Sequence, residues 1–407
     1  MTRRIYFRIC SGFLLSVTLF VAANLCAGQS EEALCRAGNG NFAADFRTRH
    51  VNASVRIGAT NVDGFGTRTC EATLTSGDQK VAVASGAWSV DLDALGAELG
   101  TGVPVAAFLV KKSESECCGT YFIYSLEKPP RLLRTMSGGS LFEASDVDFD
   151  SRVEIWTDDA AAVDGFENLS LAEFDFAPPI VLRFDHGQLL EVSAEFLPYF
   201  DHLIADRKAH LDAKDLKDFK ASNGRLAPGT SLSPEQRYRL RKVKVGILEI
   251  VWAYLYSGRE REAWSGLAEM WPTADADRIQ AAIAQAREHG IGKQVDGVEA
   301  SPAKRKKHGT IYDVAGTQGD ESEIVSPRPI LLRRPAPASD QLAVSSETML
   351  TLIIDSAGKV REVEQPLHAN PIDADLTTAA MKWKFIPAIH GGHAVASRTH
   401  LAVATRK

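Results

Sequence analysis

The chain has 407 residues, 45% of them hydrophobic and 24% charged, with a formal net charge of −6. That length and apolar fraction exclude a disordered chain and provide for two or three domains with cores of their own. The acidic balance excludes a partner held by phosphate neutralisation, so nucleic acid is not among the expected ligands.

The chain opens with basic Arg3, Arg4 and Arg8, an apolar stretch over residues 13–23, and small Ala27 and Gly28. This is the layout of an export signal over residues 1–28, and it places the protein in the periplasm or cell envelope. Simple cleavage is the leading fate. Lipid attachment at Cys26 is disfavoured because Leu25 stands where a small residue is wanted. Retention as an inner-membrane anchor stays open, since residues 9–27 are nearly long enough to span a bilayer, and this segment is then the only membrane contact. Cleavage leaves Cys35, Cys70, Cys117 and Cys118 in an oxidising compartment. Three pairings stand open, and the absence of a Cys-x-x-Cys spacing favours structural disulfides over redox chemistry.

Residues 29–192 predict β structure. "VNASVRI" alternates strictly, and "KVAVASG", "PVAAFLV", "TYFIYSL", "VEIWT" and "PIVLRF" are short β-rich runs punctuated by Gly, Pro, Asp and Asn. Their spacing suggests a sandwich or a propeller-like fragment. The region carries 25 acidic against 13 basic residues, so it repels nucleic acid and anionic membrane surfaces alike. Within it, "DVDFDSRVE" places Asp146, Asp148, Asp150 and Glu154 at relative positions 1, 3, 5 and 9. A tight loop of that spacing can wrap oxygen ligands around Ca²⁺, the one cofactor expected, although Ser151 stands where glycine normally permits the sharp turn. The loop resembles the calcium loops of integrin-like propeller repeats; an acidic hairpin without metal is the alternative.

From residue 193 to about 291 the period becomes helical. Ser233, Pro234 and Gln236 form a capping box with proline at the first helical position, and apolar residues follow at 240, 243, 247, 248, 251, 252 and 255. Gly258 ends that helix, a second runs from 259 to 271 before Pro272, and a third runs from 273 to about 289. Residues 292–325 lose periodicity, contain the basic run at 304–308 and lead to prolines, which predicts a solvated linker.

The last segment, 326–407, predicts a small α+β module. "TMLTLIIDSAGKVREVEQP" is a hairpin turning at Ala357 and Gly358; "DADLTTAAMKWKF" places Leu376, Ala379, Ala380 and Trp383 at helical spacing. Proline at 387 forces extended chain, and "GGHAVASRTHLAVAT" gives a Gly-Gly turn and a final strand with Val395, Leu401 and Val403 as its apolar positions. The whole chain is therefore expected to be α+β and multidomain: a β-rich N-terminal region, a helical middle and a small C-terminal module. It carries no G-x-S-x-G, P-loop or H-E-x-x-H, so it is not expected to be an enzyme.

The last 80 or so residues resemble the C-terminal domain of the TonB family of envelope energy transducers. The likeness rests on "IIDSAGKV", on "AAMKWKFIPA" and on the following glycine and valine-rich strand, with Asp355, Gly358, Val360, Ala380, Trp383, Phe385, Pro387 and Gly391 as its signature; "PRPILLRRPAP" resembles the usual lead-in. The resemblance implies an antiparallel sheet with one packed helix. It also implies a periplasmic module that binds envelope proteins, an outer-membrane receptor among them, by adding a strand in the service of transport across the membrane. Thr399, Leu401 and Val403 are the candidate edge residues, and a homodimer is a second way to cover that edge. No histidine lies between Met1 and Gln29, the spacer is short and "SSET" replaces the family's usual glycine, so binding rather than force transmission is expected. A calcium-stabilised periplasmic scaffold is the alternative function.

Overall fold

The computed structural model describes residues 35–36, 41–62, 67–114, 117–226, 232–298, 309–314, 324–331, 345–365 and 372–406. The export signal, the basic run at 304–308 and residues 332–337 of the proline-bounded lead-in lie outside the described residues. Those described form a mixed, strand-rich chain with seven α-helices and several sheets.

A five-stranded sheet organises the N-terminal half. Its order is Cys35–Arg36, Ser89–Ala97, Val105–Lys111, Gly119–Ser125 and Leu132–Gly139. In Val105–Lys111 the residues Ala106, Phe108 and Val110 enter one core while Val105 and Ala107 enter another. Burial on both faces explains why "VAAFLV" reads as a continuous apolar run and not an alternating one. On one face lies an antiparallel sheet of Phe42–Arg47, Asn52–Val62, Thr67–Ser76 and Gln79–Ala87, contributing Phe46, Val55, Ile57 and Leu74 to the shared core. The disulfide Cys35–Cys70 joins these two sheets, and the second bridge is between the neighbours Cys117 and Cys118.

The opposite face packs on a second five-stranded sheet of Phe142–Ser145, Glu154–Asp158, Pro179–Asp185, Gln188–Glu191 and Gly297–Val298, which is backed by helices. The long helix Pro234–Tyr256 is their axis. Ser233 and Gln236 form its capping box, and all seven apolar positions named above are buried. It also buries Lys244, paired with Glu167 at 2.8 Å, and Glu249, which accepts the Asp175 N–H at 2.7 Å. Burial pushes the Glu249 carboxyl up to about 7. Leu197–His210, Ala213–Lys220, Glu260–Met270 and Ala276–Arg287 surround this helix. Helices and second sheet share one core, so the expected boundary at 192 separates elements without separating cores.

Three expectations need correction. The stretch 292–325 is not a plain linker where it is described: Gly297–Val298, Tyr312–Asp313 and Ile324–Val325 each pair with a neighbouring strand. Asp296 anchors the first of these, its N–H donating to Leu189 O at 2.7 Å and its carboxylate accepting the Leu189 N–H at 2.8 Å. The last helix spans only Ala374–Ala380; Trp383 lies beyond it, its N–H closing a turn onto Ala380 O at 3.0 Å. The expected final strand is two strands. Gly391 and Gly392, at φ 58° and 89°, close the hairpin between Ala388–His390 and His393–Val395, while Ser397–Arg406 joins a different sheet. Two consecutive left-handed residues are what that tight turn demands.

No helix among the described residues is long and apolar enough to cross a membrane. The Cys35–Cys70 bridge closes a loop of 35 residues between two sheets. By loop-closure entropy its removal lowers stability by about 3–4 kcal/mol. The double variant Cys35→Ser, Cys70→Ser is therefore expected to unfold at clearly lower urea concentration than the parent, and reducing agent is expected to shift the parent toward the variant.

Candidate functional site

All the signature residues of the C-terminal module except Gly391 gather around one turn. Strands Ser345–Ile354 and Val360–Glu364 pair antiparallel, and residues 355–359 connect them. Asp355 builds the turn, its Oδ1 accepting the N–H groups of Ala357 at 3.0 Å and Lys359 at 2.9 Å. Gly358 has φ 85°, and a Cβ there would lie 1.9 Å from Phe385 O, so only glycine fits. The Phe385 N–H donates to Gly358 O at 2.8 Å. Val360, Ala380, Trp383 and Phe385 then share one core with Leu350, Leu352 and Leu376. Pro387 is buried where the chain passes from Lys384–Ile386 to Ala388–His390, and Gly391 supplies the exposed hairpin turn.

The same turn is seated on the N-terminal body through buried charge. Lys359 Nζ contacts the Asp93 carboxylate and donates to Asp93 O at 3.0 Å. Asp93 also accepts from Tyr121 Oη at 2.5 Å and from the Ala144 N–H at 2.8 Å. Lys384 donates to Asp91 at 2.7 Å and to Leu92 O at 3.3 Å. Lys359, Lys384 and Asp93 are all buried. Burial pushes the Asp93 carboxyl up, but Lys359 and then Lys384 outweigh it and hold the group below the usual carboxylate range. Asp355 Oδ2 accepts the Asp146 N–H at 3.1 Å, and Ser356 Oγ donates to Asp146 at 2.7 Å. Sequence reasoning singled out Asp355 and Gly358 but missed Asp91, Asp93, Lys359 and Lys384. The one available signal was that both lysines interrupt otherwise buried strand-like runs.

Away from the turn, the module's sheet has the order Tyr312–Asp313, Ser397–Arg406, Ser345–Ile354, Val360–Glu364. Tyr312 and Val314 N–H groups donate to Ala396 O and Arg398 O, each at 3.0 Å, so the covering strand reaches only the start of Ser397–Arg406. From Thr399 onward that strand is outermost among the described residues. Backbone direction alternates along a strand. Because Arg398 faces outward, so do His400, Ala402 and Ala404, whereas the named candidates Thr399, Leu401 and Val403 direct their backbone groups to Ser345–Ile354. Val403 is buried in the module's core, and Leu401 packs against it.

The acidic loop lies against the seated turn. Carboxylate oxygens of Asp146, Asp148 and Asp150 lie within 4.8 Å of one another. Asp146 accepts the N–H groups of Asp150 at 3.0 Å and Ser151 at 3.1 Å. Ser151 adopts φ 67°, the left-handed turn that the spacing requires at that point. Glu154 opens the next strand as the partner of Ser145 and is buried, 3.6 Å from Arg183. Burial first, then the neighbouring Asp148, Asp146 and Asp150, push its carboxyl well above the usual range; burial likewise pushes Asp146 up to about 7.

No family description, curated protein or solved structure matches the chain. The likeness of its last segment to TonB domains therefore rests on the quoted residues alone.

Removing one partner of a buried ion pair leaves the other without compensation and costs about 3–5 kcal/mol. Lys359→Met is expected to lose stability on that scale in urea denaturation. Adding Asp93→Asn, which retains the shape and removes the stranded charge, is expected to recover a substantial part of it.

Proposed function

We propose that the protein is a non-enzymatic cell-envelope protein whose TonB-like C-terminal module binds an extended segment of a partner protein by strand addition. One observation carries this reading: beyond Arg398, the strand Ser397–Arg406 is outermost among the described residues and turns the backbone groups of His400 and Ala402 outward. Unpaired N–H and C=O groups in a row are a template for another strand. Next to them, Met349 is 60% exposed and His400 and Ala402 are exposed, a mixed apolar and polar strip for alternate side chains of an incoming segment. The partner class follows from the resemblance and from the export signal: an envelope protein, with an outer-membrane receptor engaged in transport as the leading member.

A second reading has its own support. The signature turn, through Lys359 and Asp355, and the neighbouring strand residue Lys384 are spent on intramolecular seating, which suits a brace within a periplasmic scaffold.

The two separate on one substitution. Ala402→Pro removes an outward N–H while leaving the ladder to Ser345–Ile354 intact, because proline is tolerated on an edge strand whose N–H faces solvent. A photo-reactive residue placed at His400 in the full-length chain is expected to cross-link one envelope protein through an extended segment, and the added Ala402→Pro is expected to abolish the cross-link without lowering the melting temperature. A folded parent that yields no such product would leave the brace as the function.

A further inference from the structure

We propose that the Cys117–Cys118 bridge is a thiol–disulfide exchange site, opened by a dithiol reductant and able to close again, while Cys35–Cys70 stays shut as the permanent fastening of the fold. The site is independent of the strand-addition reading.

The two bridges differ in what they hold. Cys35–Cys70 joins residues 35 apart in sequence and ties two sheets that share one core. Cys117–Cys118 joins chain neighbours whose Cα atoms are 3.7 Å apart, the spacing that the peptide bond between them already sets. A cross-link stabilises a fold by closing a loop that the unfolded chain would otherwise leave open, and between neighbours there is no such loop. Nor does the bridge bring a second element with it. The pairing of Val105–Lys111 with Gly119–Ser125 runs from Val110 opposite Thr120 to Val105 opposite Ser125 without it. As a staple the pair is superfluous.

The bridges differ equally in access. Cys35 and Cys70 are each 0% exposed, so an attacking thiolate has no approach to their sulfurs in the folded chain. Cys117 and Cys118 are only half-buried. Exchange requires a thiolate to reach a disulfide sulfur, and accessible bridges are the labile ones. One folded molecule therefore carries a sealed bridge that fastens two sheets and an open bridge that fastens nothing. The first suits structure and the second suits chemistry.

The step is a two-electron reduction. One thiolate of the dithiol attacks a sulfur of the pair; the S–S bond breaks, a mixed disulfide forms, and the other cysteine leaves as a thiolate that takes up a proton. The second thiolate of the reductant then displaces the mixed disulfide, so the reductant ends as a disulfide and the second cysteine takes up its proton. The chain gains two electrons and two protons, and the dithiol loses the same. Because the freed thiols are chain neighbours they cannot diffuse apart, and closure by the reverse exchange stays within one molecule. Opening also acts on the sheet. Cys118 directly precedes Gly119, which is paired with Gly139, and Thr120, which is paired with both Val110 and Ser137. Release of the ring restores backbone freedom at the two residues before that strand, so its first pairs loosen.

Reduction of the native full-length chain with limiting dithiothreitol, followed by N-ethylmaleimide and peptide mapping, tests the site. Cys117 and Cys118 are expected to be labelled ~100-fold faster than Cys35 and Cys70, which open only when urea opens the fold. Oxidised dithiothreitol is expected to close the pair again within one molecule. Amide hydrogen exchange at Gly119 and Thr120 is expected to quicken by ~10-fold in the reduced form. The double variant Cys117→Ser, Cys118→Ser is expected to show that faster exchange while keeping the parent's melting temperature. Labelling of both bridges at one rate, labelling only in urea, or labelling of Cys117 and Cys118 before any reductant is added overturns the site. A melting temperature that falls in this variant as far as in Cys35→Ser, Cys70→Ser makes the bridge a staple and overturns it as well. Unchanged exchange at Gly119 and Thr120 overturns the loosening of the strand.

Discussion

The ion pair between Lys359 and Asp93 determines how the last fifth of this protein relates to the rest. Both groups are buried, and both are further engaged: Lys359 by Asp93 O, Asp93 by Tyr121 and the Ala144 N–H. Withdrawing two charges from water is unfavourable and is offset only when the geometry satisfies them both. Such a contact adds little to net stability, yet it penalises every other placement of the module, because any shift strands a charge in an apolar surrounding. The neighbouring Lys384–Asp91 pair repeats the device. Apolar contact alone, from Ile386, Ile389 and Ala394 against the first core, would tolerate sliding.

This explains what was legible in the residues and what was not. The helix Pro234–Tyr256 was readable because cap, first-turn proline, apolar period and terminal glycine all specify the same element. The turn at Asp355 to Lys359 was readable for a similar reason, since a carboxylate and a left-handed glycine act within five residues. The partners of that turn were not. Lys359 and Asp93 are 266 residues apart, and a lone lysine or aspartate has no local signature that distinguishes a solvated charge from a buried one. The split of the final strand was hidden for another reason. Val395 and Leu401 have the alternation of one strand, and only the Gly391–Gly392 hairpin and the pairing of Ile324–Val325 assign them to different sheets.

The acidic loop falls between these cases. Its spacing was plain, and so was the departure at Ser151, a residue whose side chain makes a left-handed backbone less favourable than glycine would. The fold resolves that tension by placing Ser151 at φ 67° regardless, with its N–H spent on Asp146. What no local reading could supply is the setting: Asp146 sits under Ser356 and Asp355, so the loop is part of the joint between body and module and not an isolated hairpin tip.

The strand order of the module keeps this joint and the outer edge from competing. The seated turn lies on the hairpin of Ser345–Ile354 and Val360–Glu364, whereas the outward backbone belongs to Ser397–Arg406, on the other side of Ser345–Ile354. A strand added at His400 and Ala402 extends the sheet without displacing Lys359 or Asp355. Ser345–Ile354 is hydrogen-bonded on both sides, to the outer strand through ten registered pairs and to the hairpin partner through four. The central strand thus links the outer strand to the turn, and the buried pairs Lys359–Asp93 and Lys384–Asp91 fix the position of that hairpin on the body.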